Sequence, residues 1–329
     1  MTSETVPTMR IGRRLGQLAH GALAGGPRWL AKAYLLLLSL VSRNLLSVRN
    51  QERVRNAMYG HSWPALTFGP RRIVLGGQVE VHLVPHLGEF DEMALFMREI
   101  DYERAMFKWI GQQAGVYDLI IEIGANVGIY TVFFDALRKK ATGTQVIVSF
   151  EPSQEAYRRL SRNLEINGAK VLTFQAAVGA ESGRQAFHEP VGHLTNGSFV
   201  RTFAAQFADA VEETTVEVLG ARELEKWLAP AVKALIKIDV EGFEPELLTA
   251  LAPLLEKYRP DLLIEIMPST FEPLELNPTL ARYDRFLVTA EGLRPEPKFY
   301  FSQAYFDWFL TWRKAAGVQP VGTSVTATP

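Results

Sequence analysis

The chain has no cysteine among its 329 residues, which excludes a disulfide framework and any thiolate zinc site and agrees with a reducing compartment. It also lacks a bilayer-spanning run. In the most apolar segment, RWLAKAYLLLLSLVSRNLL, only residues 33–42 are free of charge, where a span requires about 18 or more. That run ends in SRN, without the small-residue cleavage site of a signal peptide. No internal repeat is visible. With 47% hydrophobic and 22% charged residues, the composition is that of a soluble globular chain long enough to bury a full core without staples.

A net charge of −1 hides an uneven distribution. From Met1 to Tyr59 nine Arg and Lys residues face only Glu4 and Glu52, a surplus of seven positive charges that leaves the remainder at −8. Within this arm Leu30, Ala33, Leu37, Val41 and Leu45 fall on one helical face, with Lys32, Ser39 and Arg43 off it. Two readings follow: a basic amphipathic helix in peripheral contact with an anionic membrane, or a helical brace packed on the rest of the chain. The acidic remainder shows no basic face interleaved with aromatics, so nucleic acid is not the expected partner, although the arm alone favours an RNA-directed activity.

The pattern predicts four regions: a basic arm (1–59), a hairpin and helix (60–114), a catalytic domain (115–314) and a frayed tail (315–329). RRIVLGGQVEVHLV alternates on both sides of Gly76-Gly77 and reads as a hairpin, and residues 91–112 carry helical periodicity. Beyond them the runs LIIEI, VIVSF, VLTFQAAV, LIKIDV and LLIEI alternate with amphipathic stretches such as EAYRRLSRNLEING and PELLTALAPLLEKY. Strands alternating with helices of this length predict an α/β, Rossmann-like, doubly wound and mainly parallel sheet.

YDLIIEIGANVGIYTVFF reads as a buried strand, a tight turn and a helix. In an open parallel sheet such a turn faces the ligand site. The spacing Glu122, Gly124, Gly128 places Asn126 where a dinucleotide fingerprint has its second glycine, which speaks against a nicotinamide cofactor. The next strand ends in Glu151, placed to accept hydrogen bonds from both hydroxyls of a ribose. A nucleoside site without a pyrophosphate cradle fits S-adenosyl-L-methionine.

The motifs IIEIGANVGIYT, FEPSQEAYRRLSRNLEINGAKVLTFQAAVG, LIKIDVEGFEPELL and YRPDLLIEI, in this order, resemble those of the FkbM-type methyltransferases from about Glu89 to Pro268. The resemblance implies a class I methyltransferase fold with S-adenosyl-L-methionine as donor and a hydroxyl on a sugar, glycan or natural product as acceptor. By the same resemblance Glu122, Gly124, Asn126 and Gly128 hold the methionine part, Glu151 the ribose, and Ala176 and Ala177 flank the adenine. Ala221-Arg222 stands where family members commonly carry Leu-Asp, which predicts either a lost helix cap or an altered acceptor wall. A non-catalytic binding protein of the same fold is the remaining alternative.

An acceptor alcohol must lose a proton. LIKIDVEGFEPE ends a strand with Asp239, read as the general base, and Glu241, read as its orienter or a substrate acceptor; the competing reading for both is capping of the next helix or binding of the cofactor amino group. Lys237 reads as a solvent-facing strand end or a partner of Asp239. Glu265 points to the same sheet edge and is counted with the acceptor site. With Asp239 and Glu241 it could also hold a divalent cation, but no metal is expected. In the polar loop GHLTNGSFV, His193 is an alternative base, and Asn196 and Ser198 are candidate ligands for sugar hydroxyls.

Overall fold

The most apolar runs in the centre of the sequence become adjacent strands. A computed structural model describes residues 26–313 apart from 59–62, 64–65, 101–102, 114, 142 and 193–195. The expected tail and His193 lie outside the described residues. β4 (Leu119–Ile123) and β10 (Ala234–Ile238) are buried at every position, as parallel strands covered on both faces must be. Beside them run β5 (Val146–Phe150), β6 (Leu172–Phe174) and β11 (Asp261–Glu265), all parallel. β12 (Tyr283–Thr289), β13 (Gly292–Pro295) and β14 (Asp307–Trp312) complete an eight-stranded sheet of order β13-β12-β14-β11-β10-β4-β5-β6, with β14 antiparallel to both β11 and β12. The winding reverses at β4, so the carboxyl ends of β4, β5 and β10 frame a crevice.

Helices cover both faces. On one side α4 (Arg104–Gln112), α5 (Ile129–Lys140) and α6 (Gln154–Asn167) pack Phe107, Phe133 and Leu160 into a common core. On the other, α9 (Glu244–Tyr258) contributes Leu247, Leu248 and Leu251 to a second core.

Three readings of the sequence change at this level. VLTFQAAV is not one strand: the chain bends at Gln175-Ala176, and β7 (Ala177–Gly179) joins β8 (Gly183–Pro190) and β9 (Val211–Gly220) in a separate three-stranded sheet. Residues 91–112 are not one helix. A short α3 (Met93–Phe96) stops before β3 (Glu99–Ile100), which pairs in parallel with β1 (Arg71–Leu75) and so satisfies backbone groups that helix would otherwise use. The hairpin of β1 and β2 (Val79–Leu83) forms as expected across residues 76–78, with Gly76 and Gly77 both at positive φ (58° and 71°) and the Gln78 N–H donating to Leu75 O (3.2 Å), the paired left-handed geometry of a type I′ turn.

The arm contributes α1 (Arg28–Leu45) and α2 (Val48–Met58). No helix among the described residues is long and apolar enough to cross a membrane. α1 does pack on the domain, through Ala31, Leu35, Ser39 and Ser42. The Ser39 hydroxyl donates to Leu95 O and the Ser42 hydroxyl to Phe96 O (2.5 and 2.8 Å). The expected apolar face points the other way, into solvent, with Leu37 62% and Leu45 77% exposed. Ser42→Ala should therefore cost about 1–2 kcal/mol by orphaning a buried carbonyl, whereas Leu37→Ala should cost no more than about 0.5 kcal/mol. Denaturant melts of the two variants check this orientation, and the reverse ranking would refute it.

Candidate active site

The turn after β4 is held by backbone contacts that only glycine permits. Gly124 has φ 89°, and a Cβ there would lie 1.7 Å from the Asp239 carbonyl oxygen. Its neighbour Asn126 also sits in the left-handed region at φ 50°. This geometry is locked by Glu151 at the end of β5: Oε2 accepts from the Asn126 N–H (2.7 Å) and Oε1 from the Ser153 N–H (2.8 Å). A carboxylate has about four acceptor sites, so both oxygens retain capacity toward a ribose.

Two cavities meet here. Gly124, Asn126, Asp239 and Glu241 line both of them. The first continues past Glu151 and Ala177 to the rings of Phe187, Phe199 and Phe243. Phe187–Phe199 and Phe199–Phe243 are edge-packed at 5.5 and 5.0 Å, giving a flat heterocycle an aromatic wall. The second, of about 360 Å³, is lined by Glu103, Glu122, Tyr130, Asn196, Lys237 and Glu265.

Burial and crowding set the electrostatics. Burial pushes Glu122 and Glu151 up to about 7, although Lys237 opposes this for Glu122 and the two backbone N–H donors oppose it for Glu151. The Glu122 Oε2 also accepts from the hydroxyls of Thr131 and Ser149 (2.6 and 2.9 Å). Glu241 and Glu265 are held well above the usual carboxylate range, by burial first and then by the neighbouring Asp239 charge. Lys237 is 5% exposed, and its Nζ lies 2.9 Å from Asp239 Oδ2 and 4.4 Å from the centre of the Tyr130 ring. Burial disfavours its charge, but Asp239, Glu103 and Glu122 outweigh burial and raise it.

The structure brings most of the expected residues together. Glu122, Gly124, Asn126, Glu151, Ala177, Asn196, Asp239, Glu241 and Glu265 all line one cavity or both. Gly128 lines neither. Its φ of 85° opens α5, and a Cβ would meet Leu160 Cδ1 at 2.3 Å, so it serves helix packing. Ala176 is likewise absent from the lining, because the bend before β7 turns it away. Ser198 is fully buried, and its hydroxyl donates to Glu241 O (2.7 Å) and accepts from the Val200 N–H (2.9 Å). That hydroxyl is committed to the backbone instead of a sugar. Lys237 is not a solvent-facing strand end.

Neither Asp239 nor Glu241 caps α9, since Glu244 pins that turn by accepting from the N–H groups of Val240 and Gly242 (3.0 and 3.1 Å). Burial holds Glu244 up to about 7 as well. Ala221 is buried and Arg222 exposed in a 3-10 turn before α8 (Glu225–Leu228), and neither lines a cavity. Neither that turn nor α8 has a side-chain cap. Among the described residues no group of three or more His, Asp or Glu side chains has metal-binding geometry. Sequence reasoning missed the aromatic wall and Tyr130, whose phenol donates to Glu103, because rings spread over Phe187, Phe199 and Phe243 share no local spacing.

A family model described as the methyltransferase FkbM domain matches residues 122–287, half of the chain. The chain belongs to the FkbM methyltransferase family. The donor that its motifs imply is S-adenosyl-L-methionine. Methyltransferase sdnD of Sordaria araneosa is 23% identical over 191 residues, covering 49% of this chain and 69% of its own length. A crystal structure of an FkbM methyltransferase from Methylobacillus flagellatus KT aligns at 14% identity and a TM-score of 0.35, over 59% of this chain and 43% of its own. Less than half of that longer protein is therefore spanned. A SAM-dependent methyltransferase structure from Agrobacterium tumefaciens aligns at 12% identity and a TM-score of 0.39, over 76% of this chain and 72% of its own.

The residues of this FkbM domain fit the donor. Asn126 Oδ1 is buried without a hydrogen-bond partner at the wall shared by the two cavities, and a buried acceptor left open calls for a donor group from a ligand. Glu122 also makes stability respond to pH. A carboxyl raised from an ordinary 4.5 to about 7 binds a proton more tightly in the folded state. Its stabilising contribution is full below pH 4.5 and is lost as pH rises through 7. Glu122→Gln keeps an acceptor for Thr131 and Ser149 without the titration. Between about pH 5 and about pH 8 its unfolding free energy should fall by about 1–3 kcal/mol less than that of the native chain. Equal falls in urea melts would contradict this assignment.

Proposed function

We propose that this FkbM methyltransferase transfers a methyl group from S-adenosyl-L-methionine to a hydroxyl of a small molecule, sugar, glycan or natural product, in the cytoplasm. The observation that carries the reading is the wall of Gly124, Asn126, Asp239 and Glu241 common to both cavities. A donor in the first and an acceptor in the second would meet across it. S-adenosyl-L-methionine, when bound, supplies an electrophilic sulfonium methyl. Asn126 and Gly124 would hold its amino-acid part, Glu151 its ribose, and Ala177 with Phe187, Phe199 and Phe243 its adenine.

Glu241 is the better base. Asp239 is tied to Lys237, while the Glu241 carboxylate takes part in no hydrogen bond or ion pair among the described residues. It sits on a backbone with φ 55°, and strain of this kind gathers at functional sites. Its raised proton affinity suits removal of an alcohol proton near neutral pH. In this scheme Asp239 carries Lys237, and Glu265 and Asn196 contact the acceptor. The Glu103, Glu122, Asp239, Glu241 and Glu265 carboxylates disfavour a polyphosphate backbone in this cavity, so an RNA acceptor is the weaker reading.

Titration calorimetry should give saturable S-adenosylhomocysteine binding and none with NAD, and the opposite result would overturn the reading. Glu151→Ala should weaken that binding by about 1–3 kcal/mol.

Glu241→Gln should leave S-adenosylhomocysteine affinity nearly intact while lowering turnover about 100-fold or more. The native kcat should rise with pH along a limb above the ordinary carboxylate range, since the base must first lose its proton, and the variant should lack that limb. A Glu241→Gln enzyme with an unchanged profile, beside a dead Asp239→Asn, would return the role to Asp239.

A further inference from the structure

α1 packs Ala31 and Leu35 inward together with polar groups, and leaves most of its apolar surface facing out. Hydroxyls point inward: Ser39 and Ser42 bond the carbonyls of α3. The Arg43 guanidinium also turns inward, donating to Ala94 O (2.7 Å) and to the carbonyls of Met97 and Arg72. Apart from the buried Leu35 and the half-buried Leu38, the leucines of α1 point outward. Trp29, Leu37, Leu40 and Leu45 are 71%, 62%, 61% and 77% exposed, and Leu30, Leu36 and Val41 lie beside them. For a helix bathed in water this arrangement places apolar surface where burial would be most favourable and leaves it bare.

The charges around the stripe identify what meets it. No Asp or Glu occurs between residues 5 and 51. Arg28 and Lys32 stand at the start of α1. At its end Arg98 Nη2 donates to Asn44 Oδ1 (2.7 Å). Arg71, Arg72 and Arg98 are close enough to Arg43 to lower its proton affinity, after burial, to about 10. An apolar stripe with cations at both ends matches an anionic lipid surface, with acyl chains against leucine and headgroups against arginine. A second copy docked on this face would add its own arginines to a region that already repels itself. With 18 residues rising about 1.5 Å each and charge at either end, the helix suits the plane of the interface instead of a span. Trp29 sits at the edge of the stripe, as interfacial anchors do.

We propose that the exposed face of α1, centred on Leu37 and Leu40, is a docking surface for an anionic lipid bilayer, on which the protein lies as a peripheral, in-plane anchored enzyme. This is independent of the methyl-transfer reading.

Co-sedimentation of the full chain with vesicles of equal parts phosphatidylcholine and phosphatidylglycerol tests it, with pure phosphatidylcholine vesicles alongside. Binding should be strong to the anionic vesicles, weak to the neutral ones and reduced by added salt. The double variant Leu37→Ser, Leu40→Ser should lose about tenfold or more of that binding, and Lys32→Glu should lose part of it. Both should keep the native melting profile and S-adenosylhomocysteine affinity. Undiminished binding by the double variant overturns the proposal, as does failure of the native chain to bind anionic vesicles. So does a dimer in light scattering that the same serine substitutions dissolve, because a second copy would then be what covers the face.

Discussion

A buried ammonium surrounded by carboxylates governs the chemistry at the carboxyl edge of the sheet. Lys237 lies beside Glu122 in the register of β10 and β4, bonds Asp239, and shares its cavity with Glu103, Glu241 and Glu265. Several carboxylates so close together cannot all be ionised cheaply in a medium of low dielectric. Lys237 offsets part of that cost, and the rest appears as proton uptake by the acids it does not touch. The ion pair thereby divides the acids into two kinds: Asp239, engaged by the cation, and Glu241 and Glu265, left with high proton affinity. A site that must remove a proton from an alcohol needs members of the second kind.

The backbone serves the same end. Gly124 and the Asp239 carbonyl approach more closely than any side chain at 124 would allow, which brings the ends of β4 and β10 together and makes one wall serve two cavities. Glu151 ties the turn to β5 through the Asn126 N–H. The wall common to the two cavities is therefore set by strand ends and not by long loops, the more rigid of the two arrangements for the proposed in-line transfer.

The sheet was legible because its strands are continuous apolar runs, and those runs differ from the helices in period. The glycine turn, Glu151 and the Asp239–Glu241 pair were legible because their spacing along the chain is their spacing at a strand end. Of the two readings of Lys237, the pairing with Asp239 holds and the solvent-facing strand end does not, because a lysine two residues before an aspartate reads the same whether the strand end is wet or dry, and only the neighbouring strands make it dry. Ser198 and Gly128 were misassigned for a related reason: polar or glycine residues inside a motif can serve its backbone and never meet a ligand. Brace and amphipathic face are not exclusive readings of the arm, since α1 packs on the domain through one face and presents the predicted apolar face on the other.

The left-handed backbone at Glu241 has a bearing on how this protein would respond to selection for robustness. Glycine adopts φ 55° without the cost of about 1 kcal/mol or more that a side chain incurs there, and it would also remove a buried carboxylate. Selection for heat resistance alone would thus favour glycine at 241, the position whose carboxylate the proposed chemistry uses. Under the proposed assignment, Glu241 is a point where endurance and turnover pull in opposite directions, and screens that improve one without monitoring the other would be expected to lose activity there first.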